Sequence, residues 1–287
     1  MSVERSLLLC TNGAPEGLPA LSYGAWLAQA LGLRVTLLGI VESENRRSAV
    51  EQALRDAQSL LEAKQVAYAV VLREGIARQT IIAEALPERH IVVIGPLGRP
   101  RWRRWVEGMS LRRVMPGLGT PLLYAPTAHC QLERILLCTG ALEYADSAEC
   151  WALNLARRLG AVVTILHVAE PVLYHYPPSD QIKMHWKELL QTDTVQARHL
   201  RALLERAKAK GVQATIQIRQ GTIVHEIVAE ARRGQHDLVV MGSKHSARSL
   251  RRLYLPDVTA EVMESLNLPV LAVRAGQPCF LEESSAG

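Results

Sequence analysis

The chain repeats itself once, and few folds are compatible with that. Leu8-Leu9-Cys10-Thr11 returns as Leu136-Leu137-Cys138-Thr139, an offset of 128 positions. Leu31-Gly32 and Thr36-Leu37-Leu38 return at the same offset as Leu159-Gly160 and Thr164-Ile165-Leu166. Gly75 and Ile81-Ile82-Ala83-Glu84-Ala85 return as Gly221 and Ile227-Val228-Ala229-Glu230-Ala231, now offset by 146. Ile91-Val92-Val93-Ile94-Gly95 returns as Leu238-Val239-Val240-Met241-Gly242, offset by 147. The order is kept throughout, so the chain is a duplication. The growing offset places an insertion of about 18 residues near 170–190 of the second copy. We expect one unit at 1–128 and a second at 129–274, joined by the short linker Pro126–Leu132 and therefore packed together. A polar tail, 275–287, is expected to be mobile.

Each copy alternates two periodicities. In the first, short apolar runs at Ser6–Thr11, Val35–Val41, Val66–Leu72, Ile91–Ile94 and Pro121–Ala125 read as buried strands. Between them Leu18–Leu31, Ser48–Lys64 and Arg78–Leu86 carry helical spacing, and Gly32 supplies a C-terminal stop. A fourth helix is expected to start at Gly108 and end near Pro116-Gly117. The second copy repeats this, with strands at Arg134–Thr139, Val162–Val168, Val212–Arg219, Leu238–Met241 and Pro269–Arg274. Its helices fall at Tyr144–Leu159, about Ile182–Lys210, Val224–Arg233 and Val258–Leu266. Strands alternating with helices imply right-handed crossovers and a parallel sheet with helices on both faces, an α/β fold. Ligands on such sheets bind beyond the strand C-terminal ends, where the strand order switches.

One stretch at that edge carries chemistry. The buried run Ile91–Ile94 is followed by Gly95, Gly98 and Gly108, and then by Met109 and Ser110 where a helix begins. Strand, glycine loop and helix start together let bare backbone N–H groups approach an anion.

Bulk properties narrow the class. Of 287 residues 48% are hydrophobic, enough for a substantial core, and no apolar run approaches the roughly 20 residues of a membrane span. The N-terminus lacks a signal-peptide layout, since Glu4 and Arg5 precede a short apolar run. Five cysteines without a C-x-x-C pair suit reduced thiols, so a cytoplasmic protein is expected. The net charge of +5 is a mild bias toward anionic ligands.

Two copies of this pattern, each with a fourth strand ending in glycine, resemble the universal stress protein family from about Ser6 to Arg274. The resemblance implies two tandem Rossmann-like domains, each a five-stranded parallel sheet in the order 3-2-1-4-5, associating through their fifth strands. It also implies ATP or a related nucleotide, with accompanying Mg, on a G-x2-G-x9-G-[S/T] loop and an aspartate after the first strand. The first copy keeps Gly95, Gly98 and Gly108; Met109 stands at the hydroxyl position with Ser110 one place later. Asn12 stands at the aspartate position, where its amide can bond a ribose, and Ile40 where the family lines the adenine pocket. The second copy keeps Gly242, but His245 and Pro256 replace the other glycines, Asp257 the hydroxyl residue and Gly140 the aspartate. Proline offers no N–H, and a carboxylate at a helix start occupies the anion site itself. Nucleotide binding is therefore expected in the first copy alone.

Other features have weaker claims. Arg99, Arg101, Arg103 and Arg104 interleave with Trp102 and Trp105, echoed by Lys244, His245, Arg248, Arg251 and Arg252. These suit a phosphate clamp, or an exposed basic loop contacting a protein or other anionic partner; nucleic acid is the weaker reading. Tyr174, His175, Tyr176, His185 and Trp186 in the insertion lack compact metal-ligand spacing and read as a lid or packing segment. Cys10 and Cys138 at equivalent strand ends read as duplicated small buried residues. No nucleophile triad, paired carboxylates or Walker lysine stands out, and Glu107 and Asp257 are isolated. The sequence thus predicts a ligand-responsive regulatory protein with at most weak ATP hydrolysis, in which the two copies pair within the chain and whole chains associate as homodimers. The competing reading is an interaction scaffold with both pockets lapsed.

Overall fold

A computed structural model describes residues 5–85, 89–96, 117–141, 145–169, 186–243 and 258–281. The first copy supplies β1 (Arg5–Thr11), α1 (Leu18–Leu31), β2 (Arg34–Val41), α2 (Arg47–Ala63), β3 (Tyr68–Glu74), α3 (Ala77–Ala85), β4 (Arg89–Ile94) and β5 (Leu122–Tyr124). The second supplies β6 (Arg134–Cys138), α4 (Asp146–Leu159), β7 (Val162–Ala169), α5 (Val195–Ala209), β8 (Ala214–Gln220), α6 (Ile223–Arg233), β9 (Leu238–Ser243), α7 (Val258–Ser265) and β10 (Val270–Arg274). The helix expected from Gly108 lies outside the described residues, as does the insertion 170–185. The long second-copy helix is shorter than its periodicity suggested. Trp186–Gln191 forms a 3-10 turn, and α5 begins only after Thr194, whose hydroxyl accepts the Ala197 N–H at 3.2 Å.

The ten strands form one sheet in the order β3-β2-β1-β4-β5-β10-β9-β6-β7-β8. Each half is the order 3-2-1-4-5, and all pairings within a half are parallel. The halves meet where β5 and β10 pair antiparallel, Tyr124 opposite Val270 and Leu122 opposite Ala272. Two like edges joined about an approximate two-fold must run in opposite directions. The sheet is therefore continuous, not two sheets held by helix packing alone.

Alternation along the strands sorts the core into two layers. Leu7 and Leu9 face α1 and α2, whereas Leu8 and Cys10 face α3; Leu137 and Leu136 divide likewise between α4/α5 and α6/α7. At the seam, Leu27 and Leu155, Ile91 and Leu238, and Leu123 and Leu271 face one another in repeat-related pairs, with Tyr23, around a small apolar cavity.

Backbone strain repeats with the sequence. Gly32 and Gly160 close α1 and α4 in the left-handed conformation, at φ 65° and 70°. Gly13 and its repeat Ala141 also share it, at φ 72° and 52°, although one carries a side chain and the other cannot. A Cβ on Gly13 would stand 2.6 Å from Ala49 C and Val50 N.

Residues 275–281 after β10 are not a loose tail, while 282–287 lie outside the described residues. Phe280 and Leu281 are buried, and the Phe280 ring meets Trp151 of α4 edge-on at 4.8 Å. The Arg158 Nε–H donates to Leu281 O at 3.2 Å, and the buried Gln277 accepts the Arg274 N–H through Oε1. Composition concealed this, because two apolar residues among polar ones suffice to dock a short strap. Cys279-Phe280-Leu281-Glu282 itself repeats Cys130-Gln131-Leu132-Glu133 of the linker.

His236, just past α6, is 4% exposed, beside the Ala231 and Glu230 backbone. Burial holds its imidazole below the usual histidine range. The unfolded chain then binds more protons than the folded one once pH falls below about 6.5, so stability is full above that value and declines beneath it. Unfolding midpoints in urea are expected to drop between pH 7 and pH 5, by at most about 1.4 kcal/mol per pH unit for this group. His236→Phe should reduce that slope, leaving the part due to His167, whose imidazole is also held low by burial; an unchanged slope would remove His236 as a source.

Candidate functional site

The first-half cleft forms at the switch in strand order. The chain leaves β1 toward β2 on one side, while β4 returns on the other, with Leu9 beside both Leu37 and Val93. Peptides diverge there and leave a gap. The gap is open to solvent and is lined by Cys10, Thr11, Asn12, Gly17, Ile40, Ala77, Ile81, Ile94, Gly95 and Pro96.

Its floor is apolar. Ile40, Ile81 and Ile94 are all nearly fully buried beneath it, and Cys10 is buried with them. Burial pushes the Cys10 and Cys138 thiols well above the ordinary range, Glu84 adding to the shift at Cys10. Both are packing residues and not nucleophiles.

The polar groups sit on the rim and shape the loop first. Asn12 Oδ1 accepts the Ala14 N–H at 3.1 Å, and Thr11 Oγ1 accepts the Gly13 N–H at 3.1 Å. These bonds fold the chain back over Gly13 into the 3-10 turn Pro15–Gly17 and α1. Opposite, Glu42 Oε1 accepts the Ala77 N–H at 3.4 Å and so caps the start of α3. Gly95 has a packing reason of its own: a Cβ there would stand 2.8 Å from Gly17 Cα and 3.1 Å from its carbonyl oxygen.

Of the seven residues singled out by sequence, Asn12, Ile40 and Gly95 therefore line one cleft. Gly98, Gly108, Met109 and Ser110 lie outside the described residues, as do the arginine-rich loop 99–107, its echo 244–252, and Pro256 and Asp257.

The second half is built differently at the same place. Thr139 Oγ1 accepts the Ala141 N–H at 3.0 Å, as Thr11 does for Gly13, but it also donates to Glu149 Oε1 at 2.8 Å. Glu149 is fully buried on α4. His199 Nε2 meets its Oε1 at 2.8 Å, and Arg206 Nη2 donates to its Oε2 at 2.7 Å, both reaching across from α5. Asp146 Oδ1 lies 3.7 Å from Arg206 Nη1. Donor atoms of Asp146, Glu149 and His199 fall within 4.8 Å of one another, but the Arg206 guanidinium already supplies a cation there. His167 adds a bond from Nδ1 to Thr139 O at 3.1 Å.

Sequence reading missed this network. One signal was present: Glu149, His199 and Arg206 occupy the repeat positions of Leu21, Ala53 and Leu60, so charged groups stand on helix faces that the first copy makes apolar.

A two-fold repeated α/β sheet with a strand-order switch in each half defines a class of tandem Rossmann-like folds. Within that class the model of the universal stress protein family matches residues 131–274. A universal stress protein of Methanocaldococcus jannaschii is 26% identical over 142 residues, covering 50% of this chain and 82% of the relative. A universal stress protein structure from Archaeoglobus fulgidus superposes with a TM-score of 0.72 at 17% identity, over 94% of this chain and 96% of that one. A structure described as a putative universal stress protein from Pseudomonas aeruginosa gives 0.66 at 15% identity, over 96% and 94%. The chain belongs to the universal stress protein family. Among the described residues no helix is long and apolar enough to cross a membrane.

Proposed function

We propose that the first-half cleft binds ATP or a related nucleotide and that the protein acts as a ligand-responsive regulator without substantial turnover. The observation that supports this is the gathering of Asn12, Ile40 and Gly95, distant in sequence, around one cleft at the strand-order switch. In this reading the apolar floor of Ile40, Ile81 and Ile94 takes the base. Asn12 already spends Oδ1 on its own loop, which leaves the amide Nδ2 for a ribose hydroxyl. The loop opened by Gly95, with Gly98 and Gly108, takes the phosphates through backbone N–H groups, and the accompanying Mg would be held by the phosphate oxygens with the Ser110 hydroxyl as an oxygen ligand. Arginines of the 99–107 loop add charge for the same anion.

A second reading rests on Gly95, whose missing side chain is explained by contact with Gly17 without any ligand. It makes the chain an interaction scaffold whose basic loops meet a protein or another anionic partner.

Calorimetric titration with Mg·ATP separates the two. Saturable heat is expected, with affinity falling at least about tenfold in Gly98→Asp, which sets a carboxylate against the phosphates. Absence of heat, or equal affinity in the variant, would leave the scaffold reading.

A further inference from the structure

We propose that Cys150 and Cys279 form a peroxide-responsive thiol pair whose disulfide locks the C-terminal strap onto α4. Asn154, fully buried on α4, donates from Nδ2 to Cys150 O at 2.9 Å, and the same nitrogen lies 3.3 Å from Cys150 Sγ and 3.6 Å from Cys279 Sγ. Two thiols 129 residues apart in sequence thus share one donor. Both are partly exposed, unlike Cys10, so a small oxidant reaches them.

The strap brings Cys279 there for reasons independent of the thiols. Phe280 against Trp151, the buried Leu281 and the Arg158 bond to Leu281 O fix its path along α4. The repeat provides an internal control. Cys130 occupies the equivalent strap position in the linker and lies 3.9 Å from Ser22 O. Ser22 is the repeat position of Cys150, and Trp26 that of Asn154. The first copy therefore has the strap thiol but neither a partner thiol nor the shared amide. The pair belongs to the second copy alone.

The chemistry balances with a hydroperoxide as oxidant. One thiolate attacks the peroxide O–O bond, giving a sulfenic acid and releasing water once a proton is taken up. The second thiol attacks that sulfur, the S–S bond forms, and hydroxide leaves as a second water. Two thiols are oxidised and one peroxide is reduced.

Hydrogen peroxide is the probe, applied to the folded full-length protein before alkylation and peptide mapping under non-reducing conditions. A linked pair of peptides containing Cys150 and Cys279 is expected, two titratable thiols are lost, and carboxypeptidase release of residues beyond Cys279 slows. Cys130→Ser should leave all three unchanged, whereas Cys150→Ser and Cys279→Ser should each abolish them. Circular dichroism of the two serine variants before oxidation checks that they are folded. Retention of both thiols after peroxide treatment, or a cross-link made through Cys130 instead, would overturn the proposal.

Discussion

Arg206→Met should lower stability at neutral pH by about 3 kcal/mol, because it strips the main cation from a carboxylate that cannot reach water. Glu149 is 0% exposed, and without Arg206 it keeps only Thr139 and His199. The larger lesson lies in the triple change Glu149→Leu, His199→Ala, Arg206→Leu, which writes the first copy's Leu21, Ala53 and Leu60 into the second. Replacing a complete buried charge cluster with apolar side chains is often neutral or stabilising, since the desolvation cost disappears along with the attraction. Thr139 survives the change as Thr11 already does, bonding the loop N–H with no carboxylate behind it. The triple variant should therefore unfold in urea within about 1 kcal/mol of the parent, and the coupling among the sites should be strongly non-additive. A triple variant as unstable as Arg206→Met would mean that shape, not charge, governs the site.

Gly13→Ala carries the second large effect, at about 3 kcal/mol of lost stability. The left-handed conformation by itself costs a non-glycine residue about 1 kcal/mol. The remainder comes from a Cβ placed 2.6 Å from backbone atoms of Ala49 and Val50, which cannot move without displacing α2. The reciprocal change, Ala141→Gly, should be nearly neutral. It relieves the φ of 52° but withdraws a fully buried methyl group worth about 0.8 kcal/mol. Unfolding midpoints of the two variants provide the check. A mild Gly13→Ala would show that the loop re-routes, and the cleft beside it would then change shape with little cost.

Much of this molecule is legible in its residues. The α1 span was readable to the residue, because an unbroken helical spacing runs into Gly32 and glycine tolerates the closing left-handed turn. The inner strands followed from apolar runs buried on both faces, whereas β3 and β8, expected as buried strands at Val66–Leu72 and Val212–Arg219, are mostly half-exposed or exposed because they form the two edges of the sheet. The α5 start was misplaced, since helical spacing in Ile182–Lys210 does not reveal where Thr194 caps. The strap at 275–281 was misread for a related reason: its docking depends on Trp151, 129 residues before Phe280.

By itself the sequence determined the fold class and the repeat, because periodicity and chain order are local properties and crossover handedness leaves few topologies. The family resemblance implied association through the fifth strands; the tertiary structure decided that β5 and β10 hydrogen-bond antiparallel and make the halves one continuous sheet. It also brought Glu149 to His199 and Arg206, and set Cys150 and Cys279 on a single amide. Each of these joins groups far apart along the chain. Their energies come from burial and distance in space, quantities that spacing along a strand or helix does not encode.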